Sequence, residues 1–251
     1  MKRITAIILC VLLAASVFAG CGNKVVGSGT TETSAAAETA APKDNKDETV
    51  SYQAKSTDAL LDIKDVPAQN LDAADADYQL ASPKAGDEIA VLHTNYGDFS
   101  MKFFPEVAPM AVTSFKALAK DGRYNETIFH RITDVNTSGI GVVQGGDYTK
   151  FNGTGGVSAY GEEYDLEISD YLRNIEGSVA MARTSNSVSN GSQFYINTVE
   201  NGALDGQYTV FAQVIDGMDV VKKIAAVKRN SNDKPIEDVI IKSVEIIPYS
   251  E

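Results

Sequence analysis

The sequence predicts a mainly β protein, a closed antiparallel barrel whose ends are covered by two helices. Two observations carry this prediction: many short strand-like runs follow residue 89, and only two segments show helical periodicity. The chain has 251 residues, 43% apolar and 22% charged, without an internal repeat. This composition is typical of one globular domain with a real core, so it excludes disorder throughout and a polytopic membrane protein.

The first elements of the barrel are a hairpin and a helix. Residues 89–95 and 99–104 are strand-like runs, and the Tyr-Gly-Asp sequence at 96–98 between them is a hairpin signal. A helix is predicted to begin at Pro109, which suits a first turn, and to end at Asp121-Gly122. Its buried face is expected to carry Val112, Phe115 and Leu118.

The remaining runs complete the barrel. Five more strands are expected, at residues 128–132, 142–144, 178–182, 193–197 and 209–214. A second helix is predicted over residues 218–227, with Val221, Ile224 and Ala225 on its buried face. The last strand, residues 239–247, alternates strictly: Val239, Ile241 and Ser243 share one face, and Ile240, Lys242 and Val244 share the other.

The first twenty residues are interpreted as a signal peptide. Lys2 and Arg3 precede an apolar run at 4–15, which is shorter than the ~20 residues that span a bilayer. Ala19-Gly20 directly before Cys21 resembles the lipobox of bacterial lipoproteins, although Phe18 stands where that pattern prefers Leu. The resemblance implies cleavage before Cys21, attachment of lipid such as palmitate there, and an outward-facing anchor on the cell membrane. A plain secretory signal is the alternative, and either one predicts export.

Three regions follow the signal peptide. Residues 21–56 are rich in Gly, Ser, Thr, Ala and charged residues, a composition that predicts a disordered linker behind the lipidated Cys21. Residues 57–77 form an extension of open role, whose apolar residues could dock on the domain as a short helix. Residues 78–251 are expected to form the folded domain, as a monomer.

Charge and cysteine usage exclude several functions. The formal net charge is −12, and an acidic chain repels phosphate backbones, so no nucleic-acid partner is expected. The two cysteines, Cys10 and Cys21, exclude a disulfide scaffold and a Cys/His zinc site. His93 and His130 have no triad partners at a recognisable spacing, so both are interpreted as structural.

Two further motifs are given structural interpretations. The glycine-rich run at 153–156 lacks the Lys-Ser/Thr and the strand–turn–helix context of a phosphate loop, which favours a turn packed against backbone. Four carboxylates, at Glu162, Glu163, Asp165 and Glu167, do not have the spacing of a calcium loop. They are expected to form a solvated face.

Seven segments in a fixed order carry a more specific signal. They are Phe129-His130-Arg131-Ile132, Val143-Gln144-Gly145-Gly146-Asp147, Asn152-Gly-Thr-Gly-Gly156, Tyr160-Gly161-Glu162, Ser178-Val-Ala-Met-Ala182, Asn190-Gly-Ser-Gln-Phe-Tyr-Ile196, and Leu204-Asp-Gly206 before Val210-Phe211. From about residue 80 to its end, the chain resembles the cyclophilin family of peptidyl-prolyl cis–trans isomerases. The resemblance implies an eight-stranded closed barrel with two capping helices, and an isomerase that needs no metal or cofactor.

The resemblance also implies the site and its substrate, proline-containing segments of exported polypeptides. Arg131 falls at the position of the catalytic arginine, which in the family donates to the proline nitrogen of the twisted amide. Gln144 and Gln193 are expected beside it on the substrate backbone. The remaining substrate-binding residues implied are Val142, Tyr195, Leu204 and Tyr208 in the proline pocket, with Ala182 and Arg183 bordering the neighbouring groove.

This chain departs from the family pattern around the pocket. It carries an insertion at about 134–139, after which Ile140 could substitute for a missing Phe. Ala203 stands where many members have a Trp that contacts cyclosporin, so weak cyclosporin binding is expected. These departures keep two alternatives open: a proline-peptide-binding module or holdase with little turnover, and an adhesion or scaffolding domain that merely uses the fold.

Overall fold

Nine strands form one antiparallel sheet in the computed structural model, which describes residues 52–184 and 189–250. In chain order they are β1 (Glu88–Thr94), β2 (Gly97–Phe103), β3 (Thr127–Ile128), β4 (Arg131–Ile132), β5 (Val142–Gly145), β7 (Ser178–Met181), β9 (Phe194–Asn197), β10 (Val210–Asp216) and β11 (Ile240–Pro248). Strands β6 (Tyr164–Asp165) and β8 (Ser189–Asn190) form a separate antiparallel pair.

The large sheet curls into a half-barrel, so the prediction of a closed eight-stranded barrel is wrong. Its order is β3-β11-β1-β2-β10-β7-β9-β5-β4, so β3 and β4 are the two edges. The predicted strand at 128–132 therefore divides: Ile128 pairs with Ile240, whereas Arg131 pairs with Gln144. The segment 127–132 thus pairs with β11 at one end and with β5 at the other, β3 and β4 are not paired with each other, and the sheet stays open.

Within the described residues, three helices and three short 3-10 turns accompany the strands. The helices are α1 (Pro109–Lys120), α2 (Val135–Ser138) and α3 (Met218–Ala225), and the turns are Ile63–Asp65, Leu71–Ala73 and Gly202–Leu204. Pro109 starts α1 as predicted, and Val112, Phe115 and Leu118 are buried. On α3, Val221 and Ile224 are buried as predicted, Val220 joins them, and Ala225 is half-buried. Across the described ranges, no helix has both the length and the apolar character needed to cross a membrane.

An aromatic cluster around Phe115 holds α1 against the sheet. The Phe115 ring stacks on Tyr124 with 4.8 Å between centroids, and it lies 5.4 Å from both Phe194 and Phe211. All four residues are 0% exposed, so their apolar area is fully removed from water. Burial of one such ring is worth roughly 1.5–3 kcal/mol, which makes this cluster a large part of the core.

A β-bulge explains why the strict alternation predicted for the last strand does not hold. His93 pairs with Ser243 and the next residue, Thr94, pairs with Ile241, so Lys242 is skipped. An extra residue on one strand exchanges the faces of the residues beyond it. Ile241 and Val244 are therefore both buried, whereas alternation placed them on opposite faces.

Glu167 corrects the prediction of a solvated carboxylate face. Glu162, Glu163 and Asp165 are exposed as expected, but Glu167 is only 6% exposed. Its carboxylate accepts hydrogen bonds from the backbone N–H groups of Met110 and Ala111, each at 2.9 Å. It therefore caps the N-terminus of α1, where the helix dipole favours negative charge.

The residues before β1 lie on the domain as a strap, defined here as residues 52–81. Tyr52 stacks on Phe151 and donates to Asp238 at 2.7 Å. The Lys55 ammonium donates to the backbone carbonyls of Gly122, Arg123 and Asn125. The predicted linker extended to about residue 56, so the packed chain begins earlier than expected. The signal peptide, Cys10, Cys21 and the linker up to residue 51 lie outside the described residues.

The strap stays attached along the rest of its course. The Leu60 N–H donates to the Ala159 carbonyl at 2.7 Å, and the Asn70 N–H donates to the Glu106 carbonyl at 2.8 Å. Gln79, which is buried, donates from Nε2 to the Arg173 carbonyl at 2.9 Å. Residues 57–77, which the sequence suggested could dock as a short helix, contain two 3-10 turns.

The buried Glu167 predicts a pH-dependent stability. Burial raises its pKa from 4.5 to about 7, although the Met110 and Ala111 N–H groups act in the opposite direction. Because the folded state binds this proton more tightly, the contribution to stability is complete below pH 4.5 and is lost as pH rises through 7. Glu167→Gln should remove this trend. The difference in free energy of unfolding between the parent and this variant should therefore change by about 2–3 kcal/mol between pH 5 and pH 8.

Urea unfolding of both proteins at the two pH values measures the effect. Glu162→Gln alters an exposed carboxylate of the same acidic segment. Its difference in free energy of unfolding from the parent should be the same at both pH values. An equal difference between Glu167→Gln and parent at pH 5 and pH 8 would contradict the prediction.

Candidate active site

One small cavity gathers most of the residues predicted for the site. It has a volume of about 80 Å³ and lies beside β4, β5 and β9. Its lining residues are Arg131, Ile140, Val142, Gln144, Ala182, Arg183, Tyr195, Leu204 and Tyr208. Eight of the nine predicted residues are in this set. The ninth, Gln193, contacts Gln144 directly.

Strand register explains why these side chains meet. Arg131 on β4 is the direct partner of Gln144 on β5, and Gln144 is the direct partner of Tyr195 on β9. Directly paired residues project from the same face of a sheet, and so does Val142, two residues before Gln144. The cationic, amide and aromatic groups are thereby placed in a row across three adjacent strands.

A chain of amide hydrogen bonds orients the polar side of the cavity. Gln193 Nε2 donates to the carbonyls of Gly153 and Gly155 at 2.9 and 2.8 Å. Its Oε1 therefore faces Gln144, whose Nε2 donates to it at 3.1 Å. Gln144 Oε1 in turn accepts from Arg131 Nη1 at 3.3 Å. The two loop carbonyls thus set the orientation of both amides and present an acceptor to the guanidinium.

Asp147 holds the loop that supplies those carbonyls. Its carboxylate accepts hydrogen bonds from five backbone N–H groups, those of Thr149, Lys150, Asn152, Gly153 and Gly155. Burial alone would raise the pKa of Asp147, but hydrogen bonds from the loop outweigh it and lower the pKa. Asp147 is therefore a carboxylate at neutral pH, and it holds residues 149–155 as one turn.

Gly153 and His130 pack closely behind this loop. Gly153 has φ +88°, and a Cβ there would lie 2.7 Å from His130 Nε2, so only glycine fits. Burial is the main cause that lowers the pKa of His130 to about 4, so the imidazole is neutral at neutral pH. The interpretation of the 153–156 run as a turn packed against its neighbours agrees with this geometry.

The apolar side of the cavity is aromatic. Tyr195 is buried and donates from its hydroxyl to Asn174 Oδ1 at 2.8 Å. Its ring meets Tyr208 edge to face at 5.7 Å, and the Arg183 guanidinium lies 4.7 Å from the Tyr208 ring. Leu204 belongs to the same apolar cluster. The floor is thus fixed by a buried hydrogen bond, and the rim is a cation over an aromatic ring.

A second groove of about 240 Å³ adjoins the cavity. Gln144, Ala182 and Arg183 line both. The 134–139 insertion forms α2, with Asp134 as its N-cap and Gly139 in the left-handed conformation at its end. Thr133 Oγ1 donates to the Ile140 carbonyl and accepts from the Val142 N–H, and Ile140 lines the cavity.

Sequence reasoning missed one charged neighbour of this site. Asp233 Oδ2 lies 3.6 Å from Arg131 Nη2. The residues around it, Asn230 to Pro235, are turn formers, and nothing in that pattern signals an ion pair with a residue so distant in the chain.

The arrangement suits binding a peptide and altering its conformation. Arg131 and the Gln144 amide line the cavity beside its aromatic side, Gln193 contacts Gln144, and His130 is buried and neutral. No group of three His, Cys, Asp or Glu side chains within residues 52–184 and 189–250 could hold a metal ion. Such a half-barrel and site define the class of peptide-binding conformational catalysts, which act through orientation and hydrogen bonding.

Known proteins place the chain within this class. The family model described as "Cyclophilin type peptidyl-prolyl cis-trans isomerase/CLD" matches residues 89–246. A Staphylococcus saprophyticus protein, named as a candidate peptidyl-prolyl cis-trans isomerase, is 38% identical in an alignment of 198 positions that covers 67% of this chain and 97% of that protein. Peptidyl-prolyl cis-trans isomerase 9 of Schizosaccharomyces pombe is 38% identical over 158 residues, 63% of this chain and 25% of the larger relative.

A solved structure agrees with the sequence relatives. The cyclophilin-type isomerase of Cryptosporidium parvum, crystallised in the presence of the dipeptide Ala-Pro, has a TM-score of 0.59 and 34% identity. The match covers 65% of this chain and 99% of that structure. The chain therefore belongs to the cyclophilin-type peptidyl-prolyl cis–trans isomerases and is an isomerase of that class. The predicted family, activity and proline-containing substrates are confirmed; the roles of individual residues stay predictions.

The amide chain predicts the effect of an isosteric change at Gln193. Gln193→Glu places a carboxylate oxygen against the Gly153 and Gly155 carbonyls, where a donor stands now. The free energy of unfolding should fall by about 1–3 kcal/mol, because two half-buried carbonyl groups lose their donor. The acceleration of X–Pro exchange should fall at least about tenfold, which is the effect of roughly 1.4 kcal/mol in the barrier.

Gln207→Glu is the matched control, because Gln207 is exposed and donates to a single carbonyl, that of Ala203. It should leave both stability and rate near the parent values. Urea unfolding and a peptide isomerisation assay measure the two quantities, and equal behaviour of the two variants would contradict the prediction.

Proposed function

We propose that this protein accelerates X–Pro isomerisation in exported polypeptides outside the cell membrane, with Arg131 as the catalytic residue. The observation that carries the assignment is the placement of the Arg131 guanidinium at the edge of an apolar cavity, bonded to Gln144. The Arg131 side chain is 40% exposed, so a bound peptide can reach it.

The reaction needs a donor aimed at the proline nitrogen. The X–Pro amide resists rotation by ~18–20 kcal/mol because of its partial double bond. When the bond twists, conjugation is lost and the nitrogen acquires a lone pair. A guanidinium that donates to this lone pair binds the twisted form better than the planar one, which lowers the barrier. Arginine suits this role because it stays charged and its donors form a rigid fork.

The cavity must supply the rest of the acceleration. One charge-assisted hydrogen bond is worth about 1.5–3 kcal/mol, or roughly tenfold to a hundredfold in rate. We assign the proline ring to the apolar cavity lined by Val142, Tyr195, Leu204 and Tyr208. With the ring held there, the carbonyl side of the bond is free to rotate past Arg131.

The polar groups would hold the substrate backbone. Gln144 uses one N–H and one acceptor position in the chain described above, which leaves one of each for a peptide. Gln193 Nε2 already donates twice, so Gln193 can offer a peptide only the second acceptor position of Oε1. Ala182 and Arg183 lie between the cavity and the adjoining groove. We assign that groove to residues that flank the proline.

The location rests on the N-terminal pattern. Lys2, Arg3, the apolar run at 4–15 and Cys21 support export followed by lipid attachment at Cys21, which lies outside the described residues. Each CH₂ group of an acyl chain buried in the membrane adds about 0.8 kcal/mol to the free energy of binding, so two acyl chains suffice for stable anchoring. Proline isomerisation is a slow step in folding wherever it occurs, so an isomerase held outside the membrane has substrates there.

The role of Arg131 is tested by two substitutions. Arg131→Ala should lower the acceleration of X–Pro exchange at least about tenfold, since the charged donor is lost. Arg131→Lys keeps the charge without the fork and should fall between the parent and Arg131→Ala. Exchange in a short X–Pro peptide, measured with the full-length protein and with each full-length variant, gives the rates.

The outcomes separate two functions. Retained acceleration in Arg131→Ala overturns the catalytic assignment. A parent protein that binds proline peptides without accelerating exchange would instead favour the binding module or holdase.

The anchoring prediction is tested at Cys21. In a bacterial host, the parent should be found in the membrane fraction and incorporate labelled palmitate. Cys21→Ala should incorporate none and leave the membrane fraction, because no acyl chain holds it. Cys10→Ala, which changes the other cysteine of the chain, is the matched control and should behave as the parent. Label in Cys21→Ala would sink the lipoprotein interpretation.

A further inference from the structure

The guanidinium of Arg131 has a different partner at each terminal nitrogen. Nη1 donates to Gln144 at 3.3 Å, while Nη2 lies 3.6 Å from the Asp233 carboxylate. An arginine side chain has many rotamers, and contacts at both terminal nitrogens restrict them. We propose that Asp233 is a positioning residue that holds Arg131 in its catalytic orientation, an inference that rests on the role proposed for Arg131.

The backbone places this carboxylate independently of the ion pair. The Asp233 carbonyl accepts from the Ile132 N–H at 2.8 Å, and Ile132 is the residue after Arg131 on β4. Arg229 Nη1 donates to the Ile132 carbonyl at 3.3 Å. Both polar groups of Ile132 are thus bonded to the segment that carries the aspartate, one through the Asp233 carbonyl and one through the Arg229 side chain. These two bonds hold β4 beside that segment without the ion pair.

The segment around Asp233 is itself a well-braced turn. Asn230 Oδ1 accepts from the N–H groups of Asn232 and Lys234, and its N–H donates to the Lys234 carbonyl at 2.8 Å. The Ile236 N–H donates to the Lys228 carbonyl at 2.9 Å. A turn held by its own hydrogen bonds presents Asp233 in one place whether or not substrate is bound.

Asp233 occupies an unusual backbone conformation for its residue type. Its φ is +61°, in the left-handed region that Asn and Asp tolerate better than other non-glycine residues. Asp233→Asn therefore keeps the backbone and the shape of the side chain while removing the charge. Asp233→Ala would add backbone strain to the loss of charge and is the poorer test.

The size of the effect follows from exposure. The Arg131 and Asp233 side chains are 40% and 34% exposed, so solvent weakens their attraction and the pair is modest in strength. We expect Asp233→Asn to lower kcat/KM about threefold to tenfold. The dissociation constant of the peptide should change less than about twofold, because the arginine interaction strengthens only in the twisted transition state.

The experiment combines single and double variants of the whole protein. X–Pro exchange rates are measured for the parent, Asp233→Asn, Arg131→Ala and the double variant, and peptide affinity is measured by NMR titration. If Asp233 acts through Arg131, its substitution should have no further effect in the Arg131→Ala background. Glu237→Gln, an exposed change of the same charge nearby, is the control and should match the parent.

The other outcomes reject either the role of Asp233 or the role of Arg131. An unchanged or raised kcat/KM in Asp233→Asn, an equal loss in both backgrounds, or a loss explained wholly by weaker peptide binding rejects the positioning role of Asp233. Full activity in Arg131→Ala rejects the role of Arg131 itself, whatever Asp233→Asn does. Failure of the inference and failure of the proposed function are thereby distinguished.

Discussion

The carbonyl groups of Gly153 and Gly155 determine how the polar half of the site is arranged. Both accept from Gln193, which fixes the orientation of its amide. That orientation determines the orientation of Gln144, whose oxygen then accepts from the guanidinium of Arg131. None of these amides could reverse its orientation alone, because each would then set a donor against a donor or an acceptor against an acceptor. The five N–H bonds to Asp147 keep the two carbonyls in place. One carboxylate therefore supports the orientation of the Arg131 guanidinium through the glycine carbonyls and the two amides.

The open sheet and the site have a common origin in the segment 128–132. Because Ile128 completes one edge and Arg131 the other, the chain crosses the gap between the edges at Phe129 and His130. Arg131 then lies on a two-residue edge strand with a neighbour on one side only. On its other side lies the turn that carries Asp233. An arginine at a fully paired strand position could not be approached in this way from outside the sheet.

Local features of the fold were predictable, and features that depend on distant residues were not. The hairpin, the Pro109 start of α1 and its buried face follow from neighbouring residues, and the structure confirms them. Closure of the barrel depended on which strands pair, and the burial of Glu167 depended on where α1 begins in space. The grouping of eight predicted residues around one cavity came from family motifs, since spacing alone could not bring Arg131 to Leu204. Asp233 sat in a run that indicated only a turn.

The strap alters how the domain would bear mechanical force. It lies outside the region matched by the family model, residues 89–246, yet it is bonded to the domain from Tyr52 to Gln79. A pull on the chain ahead of Tyr52 would therefore meet the aromatic stack on Phe151 and the three carbonyl bonds of Lys55 first. The attachments of the strap would break one after another, and β1 would not be peeled from the sheet until all of them had been broken.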